Sequence, residues 1–319
     1  MKPDNKERRE FLWKTPLAVL GLALGLNRCE KQNHPLTATN IDPQEGYTPL
    51  KRKTLEAITG INLTQPIYHI ALDIEKQYFK VDESCYLLLD WALENIDQNL
   101  QGLQEPIEIL EEINWTLEEN LGYITWNQCV FRGPRFSEGI KIVEDGRCKG
   151  KITKDCKIGS LLYLSVADNH DWPLTLVEEP SHVFLRWNGE KSFDWETLDG
   201  KVKPQANESD ATLQREYQNI EQYISMIYMN LSYALVDNYR PEDALDSAKK
   251  SVITDPKSSN AHHAHGYVLY KLKKYDEAIE ACDKALEIQP STKTITLKEI
   301  CFNQMKDRVV EKAMTYFPK

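Results

Sequence analysis

The sequence predicts an α+β fold, a helical part leading into a small antiparallel sheet, followed by an all-α repeat array. Three observations predict it. Apolar residues recur at helical spacing from Ile67 to Leu117. Short β-like runs, separated by turn signals, occupy residues 174–195. Beyond residue 220, Ala244 and Ala278, Ala248 and Cys282, and Pro256 and Pro290 are each 34 residues apart.

The helical part is justified by its stripes. Ile67, Ile70, Ala71 and Ile74 fall on one helical face, as do Tyr86, Leu89, Ala92, Leu93 and Ile96. Pro106 to Leu121 gives another stripe through Ile107, Leu110, Ile113 and Leu117. From Gly122 to Gly150 the period collapses among Gly133, Pro134, Gly139, Gly146 and Gly150, so a long irregular loop is expected there. A helix opens at Asp155-Cys156, carries Ile158, Leu161, Leu162, Leu164, Val166 and Ala167, and is stopped by Asn169 to Pro173.

Three strand-like runs follow: Leu174 to Val177, Val183 to Trp187 and Ser192 to Trp195, the last two separated by Asn188-Gly189. A three-residue loop of Trp187, Asn188 and Gly189 would put His182 opposite Asp194 and on the same face as Glu196. It would also gather Val183, Leu185, Phe193 and Trp195 on the apolar face. That register satisfies both core and chemistry and is the one expected.

The 34-residue spacing is the tetratricopeptide period. Gly266, Leu269, Tyr275, Ala278, Ala285 and Pro290 occupy its small, large and helix-ending places, and Tyr228, Leu231, Ser232, Leu235, Ala244 and Pro256 do so in an earlier copy. Residues 294–317 read as a capping helix or a degraded third helix pair. The resulting boundaries are 1–30 for an export signal or membrane anchor, 31–50 for a tether, 51–202 for the α+β unit, 203–217 for a second linker and 218–319 for the repeats with their cap.

The first segment has Lys6, Arg8 and Arg9 before an apolar run from Pro16 to Leu26, too short for a bilayer core of about 30 Å. Arg8-Arg9-Glu10-Phe11-Leu12-Trp13-Lys14 is similar to a twin-arginine export signal. The expectation is an exported, periplasmic or membrane-anchored chain, cytoplasmic if that reading fails. Leu26 and Cys29 fit a lipoprotein cleavage box, whereas Arg28 stands where a small residue is the rule.

Composition limits the partners. With 39 Lys+Arg against 49 Asp+Glu, the net charge of −10 would repel a polyanion, so nucleic acid is not an expected partner. A peptide or protein bound by the repeats is, with the N-terminus as a membrane tether. The seven cysteines form no C-x-x-C, which argues against a zinc site, and no cofactor is expected. His262, His263 and His265 fall on a repeat helix and are read as packing or peptide contacts rather than metal ligands.

Chemistry concentrates on Cys156 and His182. A cysteine in the first turn of a helix sits where the dipole stabilises a thiolate. An imidazole held by a carboxylate, Asp194 or Glu196, is the base such a thiol needs. Asp155-Cys156-Lys-Ile-Gly-Ser160, Trp172-Pro173-Leu174, Pro180-Ser-His182-Val-Phe-Leu-Arg186-Trp187 and Phe193-Asp-Trp-Glu196-Thr197 together resemble the bacterial transglutaminase-like superfamily, in the branch ending in tetratricopeptide repeats. The resemblance implies a papain-like fold with Cys156 as nucleophile, His182 as general base and Asp194 as the orienting residue, Glu196 being the rival for that role. It implies a thioester route to hydrolysis or acyl transfer at peptide or side-chain amides; a branch member lacking catalysis would instead hold a peptide. Cys148, eight residues before Cys156, could mask the thiol as a disulfide in an oxidising compartment.

Overall fold

A computed structural model describes residues 52–121, 124–125, 135–137, 153–154, 156–179, 182–204 and 214–316. The expected export signal and tether, most of the expected loop at 122–150, and with them Cys29, Cys148 and Asp155, lie outside the described residues. The fold is mostly helical with a small antiparallel sheet.

Four helices come first: α1 (Arg52–Thr59), α2 (Ile67–Lys76), α3 (Glu83–Asn99) and α4 (Pro106–Leu121). Of the stripes, Ile70, Ile74, Leu89, Ile96, Leu110 and Ile113 are all buried, whereas Ile107, first in its stripe, is exposed. Full burial of such a side chain is worth about 1.5–3 kcal/mol, which fixes these faces against the core. Asp82 caps α3 by accepting from the Ser84 N–H at 2.9 Å. Pro106 stands first in α4, where a missing N–H costs no helix bond.

A two-residue parallel pair, β1 (Ile124–Thr125) with β2 (Thr153–Lys154), leads into α5 (Cys156–Asn169). Every residue of α5 from Ile158 to Ala167 is buried. A helix apolar all round belongs in the centre of a fold, and α5 packs against α2, α3 and strands β3 and β4 of the main sheet.

That sheet contains β3 (Leu174–Glu179), β4 (His182–Trp187), β5 (Phe193–Glu196), β6 (Lys201–Lys203) and β7 (Arg215–Glu216), in the order β6-β5-β4-β3-β7. All its pairings are antiparallel. The hairpin register differs from the expected one. Trp187 pairs with Phe193, Arg186 with Asp194 and Leu185 with Trp195, so the loop is Asn188–Ser192 rather than Trp187–Gly189. Two more loop residues slide the pairing by four positions while leaving inside and outside unchanged, because the pleat repeats every two residues. Gly189 is not left-handed. It is small because the Trp187 indole lies over it, 2.5 Å from where a Cβ would sit.

The repeats are α6 (Ile220–Asp237), α7 (Pro241–Thr254), α8 (Ser259–Lys271) and α9 (Tyr275–Ile288), closed by α10 (Thr292–Tyr316). Asn219 and Gln222 form a reciprocal capping box at the start of α6. The copies repeat down to backbone detail. Tyr239 and Lys273, 34 residues apart, both adopt φ near +60°, and the following N–H groups reach back from Arg240 to Leu235 and from Lys274 to Leu269, each at 2.9 Å. Gly266 lets α8 and α9 close up, since a Cβ there would lie 3.1 Å from Cys282 Sγ and 3.2 Å from the Ala278 carbonyl.

Residues expected as the second linker contribute β7, which extends the sheet beyond β3. Arg215 on β7 clasps Asp255, between α7 and α8, through two bonds of 2.7 and 2.8 Å. One apolar cluster runs from Leu55 of α1 through α5 and the sheet to Val268 of α8. The first repeat helices therefore share the core of the α+β part. Among the described residues, no helix is long and apolar enough to cross a membrane.

Candidate functional site

The N-terminus of α5 meets the end of the sheet where β4 begins and β5 ends. Cys156 is the first residue of α5 and carries a free, partly exposed thiol. Its carbonyl accepts from the Ser160 hydroxyl at 2.7 Å and, more loosely, from the Thr197 hydroxyl at 3.4 Å. Gly159 makes the approach of helix to sheet feasible: a Cβ there would lie 3.1 Å from Thr197 Oγ1 and 3.3 Å from Thr197 Cβ. Thr197 directly follows Glu196, so this close packing also sets where the carboxylate stands relative to the thiol.

His182 opens β4. Its Nε2 lies 2.6 Å from Glu196 Oε2, at the end of β5, in a partly buried pair. The other oxygen of Glu196 accepts from the Leu198 N–H at 3.3 Å, which steadies the carboxylate. Burial works against a charged ring, but its interactions with the Cys156 side chain and with Glu196 outweigh it and push His182 up to about 10.

The structure thus brings together three of the four residues singled out by sequence. Asp194 is the exception. In the observed register it faces Arg186, to which it is joined by two parallel bonds of 2.7 and 3.0 Å. The expected pairing of His182 with Asp194 is replaced by a diagonal one with Glu196 across the same face, and Asp194 holds an arginine instead.

A second polar cluster adjoins the first. Glu178 of β3 is buried and accepts from Asn260 Nδ2 at 2.6 Å, while Arg215 approaches it to 3.9 Å. Asn260 also donates to the Glu179 carbonyl at 3.3 Å, and Lys293 Nζ donates to Asn260 Oδ1 at 2.8 Å. Sequence reasoning did not find Gly159, Thr197, Asn260 or Lys293. The glycine and threonine sit in the motif stretches themselves, but the last two come from the repeats, about a hundred residues away along the chain.

On α8, two of the three histidines are tied to neighbouring segments. The His262 ring bonds the Pro256 carbonyl and the His263 ring bonds the Thr294 hydroxyl, each at 3.0 Å. Burial depresses His263 to about 3 and His265 to about 4. Among the described residues, no group of three metal-ligating side chains is assembled.

Comparison with known proteins agrees with the C-terminal architecture. The tetratricopeptide repeat family matches residues 261–292, which cover most of α8, all of α9 and the first residue of α10. Such repeats generally mediate protein–protein interaction. A search of curated proteins finds no match. Among solved structures, the chain is similar to menin, whose crystal structure is described as revealing the binding site for Mixed Lineage Leukemia (MLL) protein. The identity is 14 %, over 76 % of this chain and 71 % of that one, with a TM-score of 0.39. At that level the likeness assigns no role to any residue.

Proposed function

We propose that this chain is a transglutaminase-like thiol protein that acts on peptide or side-chain amide bonds through a cysteine thioester. The observation that carries the proposal is the His182–Glu196 pair, 2.6 Å between ring and carboxylate, at the end of the sheet that meets the free Cys156 thiol opening α5. In this reading Cys156 Sγ attacks the amide carbonyl carbon. His182 takes the thiol proton and passes it to the departing amine as the C–N bond breaks and the S–C bond forms. Glu196 orients the ring and stabilises its charged form, which is the part the resemblance implied for Asp194. The positive end of α5 favours the sulfur as thiolate. Water resolving the thioester gives hydrolysis, and a second amine gives cross-linking.

The repeats favour one further reading, a scaffold that uses the same site to hold a peptide without cleaving it. They also support a protein or peptide partner in the catalytic case. The Arg8-Arg9 pair and the apolar run from Pro16 to Leu26 support export, with the N-terminus as a tether to the membrane.

Intact-mass analysis after incubation with a glutamine-containing acyl-donor peptide tests the proposal. An adduct on Cys156, released by water or by an added amine and lost in Cys156→Ser, is expected. A peptide that binds yet leaves the mass of the wild-type chain unchanged, with no product formed, would establish the scaffold instead.

A further inference from the structure

We propose that Lys203 decides which of two carboxylates His182 addresses: it occupies Glu179 on one side of the ring and so leaves the histidine to Glu196 on the other. Lys203 is thereby a positioning residue for His182. This deepens the functional proposal above and rests on it.

His182 has a carboxylate on each neighbouring strand. Glu196 on β5 lies 2.6 Å from Nε2. Glu179 on β3 is the direct cross-strand partner of His182, and residues opposite each other in an antiparallel pair project to the same face with Cβ atoms about 4.5–5.5 Å apart. The Glu179 carboxylate is engaged elsewhere. Its Oε1 accepts from Lys203 Nζ at 3.0 Å and from Gln214 Nε2 at 3.1 Å.

Lys203 belongs to β6, at the far edge of the order β6-β5-β4-β3. To meet Glu179 its side chain crosses the face of the sheet, and there Nζ lies 3.5 Å from the centroid of the Phe184 ring. Phe184 is buried, and its ring stacks with that of His182, centroids 6.3 Å apart and planes at 27°. Lys203 therefore touches two neighbours of the imidazole, the carboxylate opposite it and the phenyl ring two residues along. The pair with Glu179 is largely shielded, its side chains only 18 % and 22 % exposed, so solvent screens it less than a surface pair.

The other cations on this face are held by carboxylates of their own, Arg186 by Asp194 and Lys201 by Asp199 at 2.7 Å. Removing the Lys203 ammonium puts a second anion beside a ring that Glu196 already holds, and a cationic ring between two carboxylates is shared by them. With Lys203 in place the ring has one carboxylate partner and one orientation, which is what a base acting on a thiol requires.

The test is how strongly the His182 titration depends on Glu196, followed by NMR of ¹³C-labelled histidine in the full chain, with thermal unfolding to verify folding. Glu196→Gln is introduced into wild type, Lys203→Met, Lys203→Gln, Lys203→Arg and the double variant Lys203→Met/Glu179→Gln. Its effect on the His182 midpoint is compared within each background, so the direct influence of the lysine charge cancels. In wild type the midpoint should fall by about one to two units. In Lys203→Met, which keeps an apolar stem over Phe184, and in Lys203→Gln, Glu179 substitutes for Glu196 and the fall should shrink to about half or less. Lys203→Arg, which keeps the charge, and the double variant, which lacks the competing carboxylate, should restore it. Alkylation of Cys156 by iodoacetamide at pH 7 should slow by about two- to fivefold in Lys203→Met and recover in the double variant. An equal fall in wild type and in both neutral variants overturns the inference and leaves the His182–Glu196 pairing standing. A reduced fall that persists in the double variant reduces Lys203 to packing, and unchanged alkylation in Lys203→Met denies it a positioning role; either overturns the inference. No fall in any background removes the pairing on which the functional proposal rests.

Discussion

Replacing Glu196 by glutamine removes the charge beside His182 and keeps the shape. The carboxylate oxygen lies 2.6 Å from Nε2, in a pair whose side chains are only 26 % and 16 % exposed. A hydrogen bond to a charged group contributes about 1.5–3 kcal/mol, and one pKa unit corresponds to about 1.4 kcal/mol. Glu196→Gln should therefore lower the His182 titration from about 10 by about one to two units. Asp194→Asn is the informative counterpart, because its carboxylate serves Arg186. That change should leave His182 where it is. The assay is an NMR titration of ¹³C-labelled histidine, with His182→Gln to assign the signal. A His182 midpoint that moves in Asp194→Asn and stays in Glu196→Gln would refute the assignment of Glu196 as the partner of the ring.

Other outcomes follow from the same contacts. Asp255→Ala leaves Arg215 without its two short bonds in a buried setting and should cost about 3–5 kcal/mol, measured by urea unfolding, whereas loss of an exposed pair would cost little. Gly266→Val places methyl groups where a Cβ alone would come within 3.1 Å of Cys282 Sγ, and should cost about 1–3 kcal/mol in the same assay. His263 is held neutral by burial down to about pH 3, whereas the unfolded chain protonates it near pH 6.5. The unfolded state then binds more protons between those values, so stability falls as pH drops through that window, and His263→Gln should flatten the acid limb of a melting-temperature profile. His182 has the opposite sign. Its raised value contributes stability that is fully present below about pH 6.5 and is lost toward about pH 10, so His182→Gln should flatten the alkaline limb.

The helices and the repeats were legible because their signals are local and periodic. Ile70, Ile74, Leu110 and Ile113 announce buried faces by spacing alone. Tyr239 and Lys273 show that 34-residue spacing carried through to the same turn geometry twice. The faces of the hairpin were legible too, since alternation of apolar and polar residues survives any even shift in pairing. Its register was not. Asn188-Gly189 resembles the centre of a tight turn, but the loop is closed by Trp187 against Phe193, whose rings stack at 6.3 Å, and by the fit of the Trp187 indole over Gly189. Those are contacts between side chains that a turn rule does not weigh. Strands β6 and β7 escaped for a different reason: short, polar edge strands have the composition of a linker. In the site, Cys156, His182 and Glu196 could be named because each lies in a distinctive local stretch. Asn260 and Lys293, in the cluster beside it, could not, because only the contact of Asn260 with β3 and of Lys293 with Asn260 brings them there.

The most direct measurement is the relative alkylation rate of the four described free cysteines at neutral pH. Cys85, Cys282 and Cys301 are buried, and burial raises all three thiols, Cys282 to about 12. Cys156 is partly exposed and its side chain interacts with the raised His182. It should react first, faster than the others by about tenfold or more, and should lose that lead in His182→Ala. A Cys156 that reacts no faster than the buried thiols, or equally fast without the imidazole, would contradict the account.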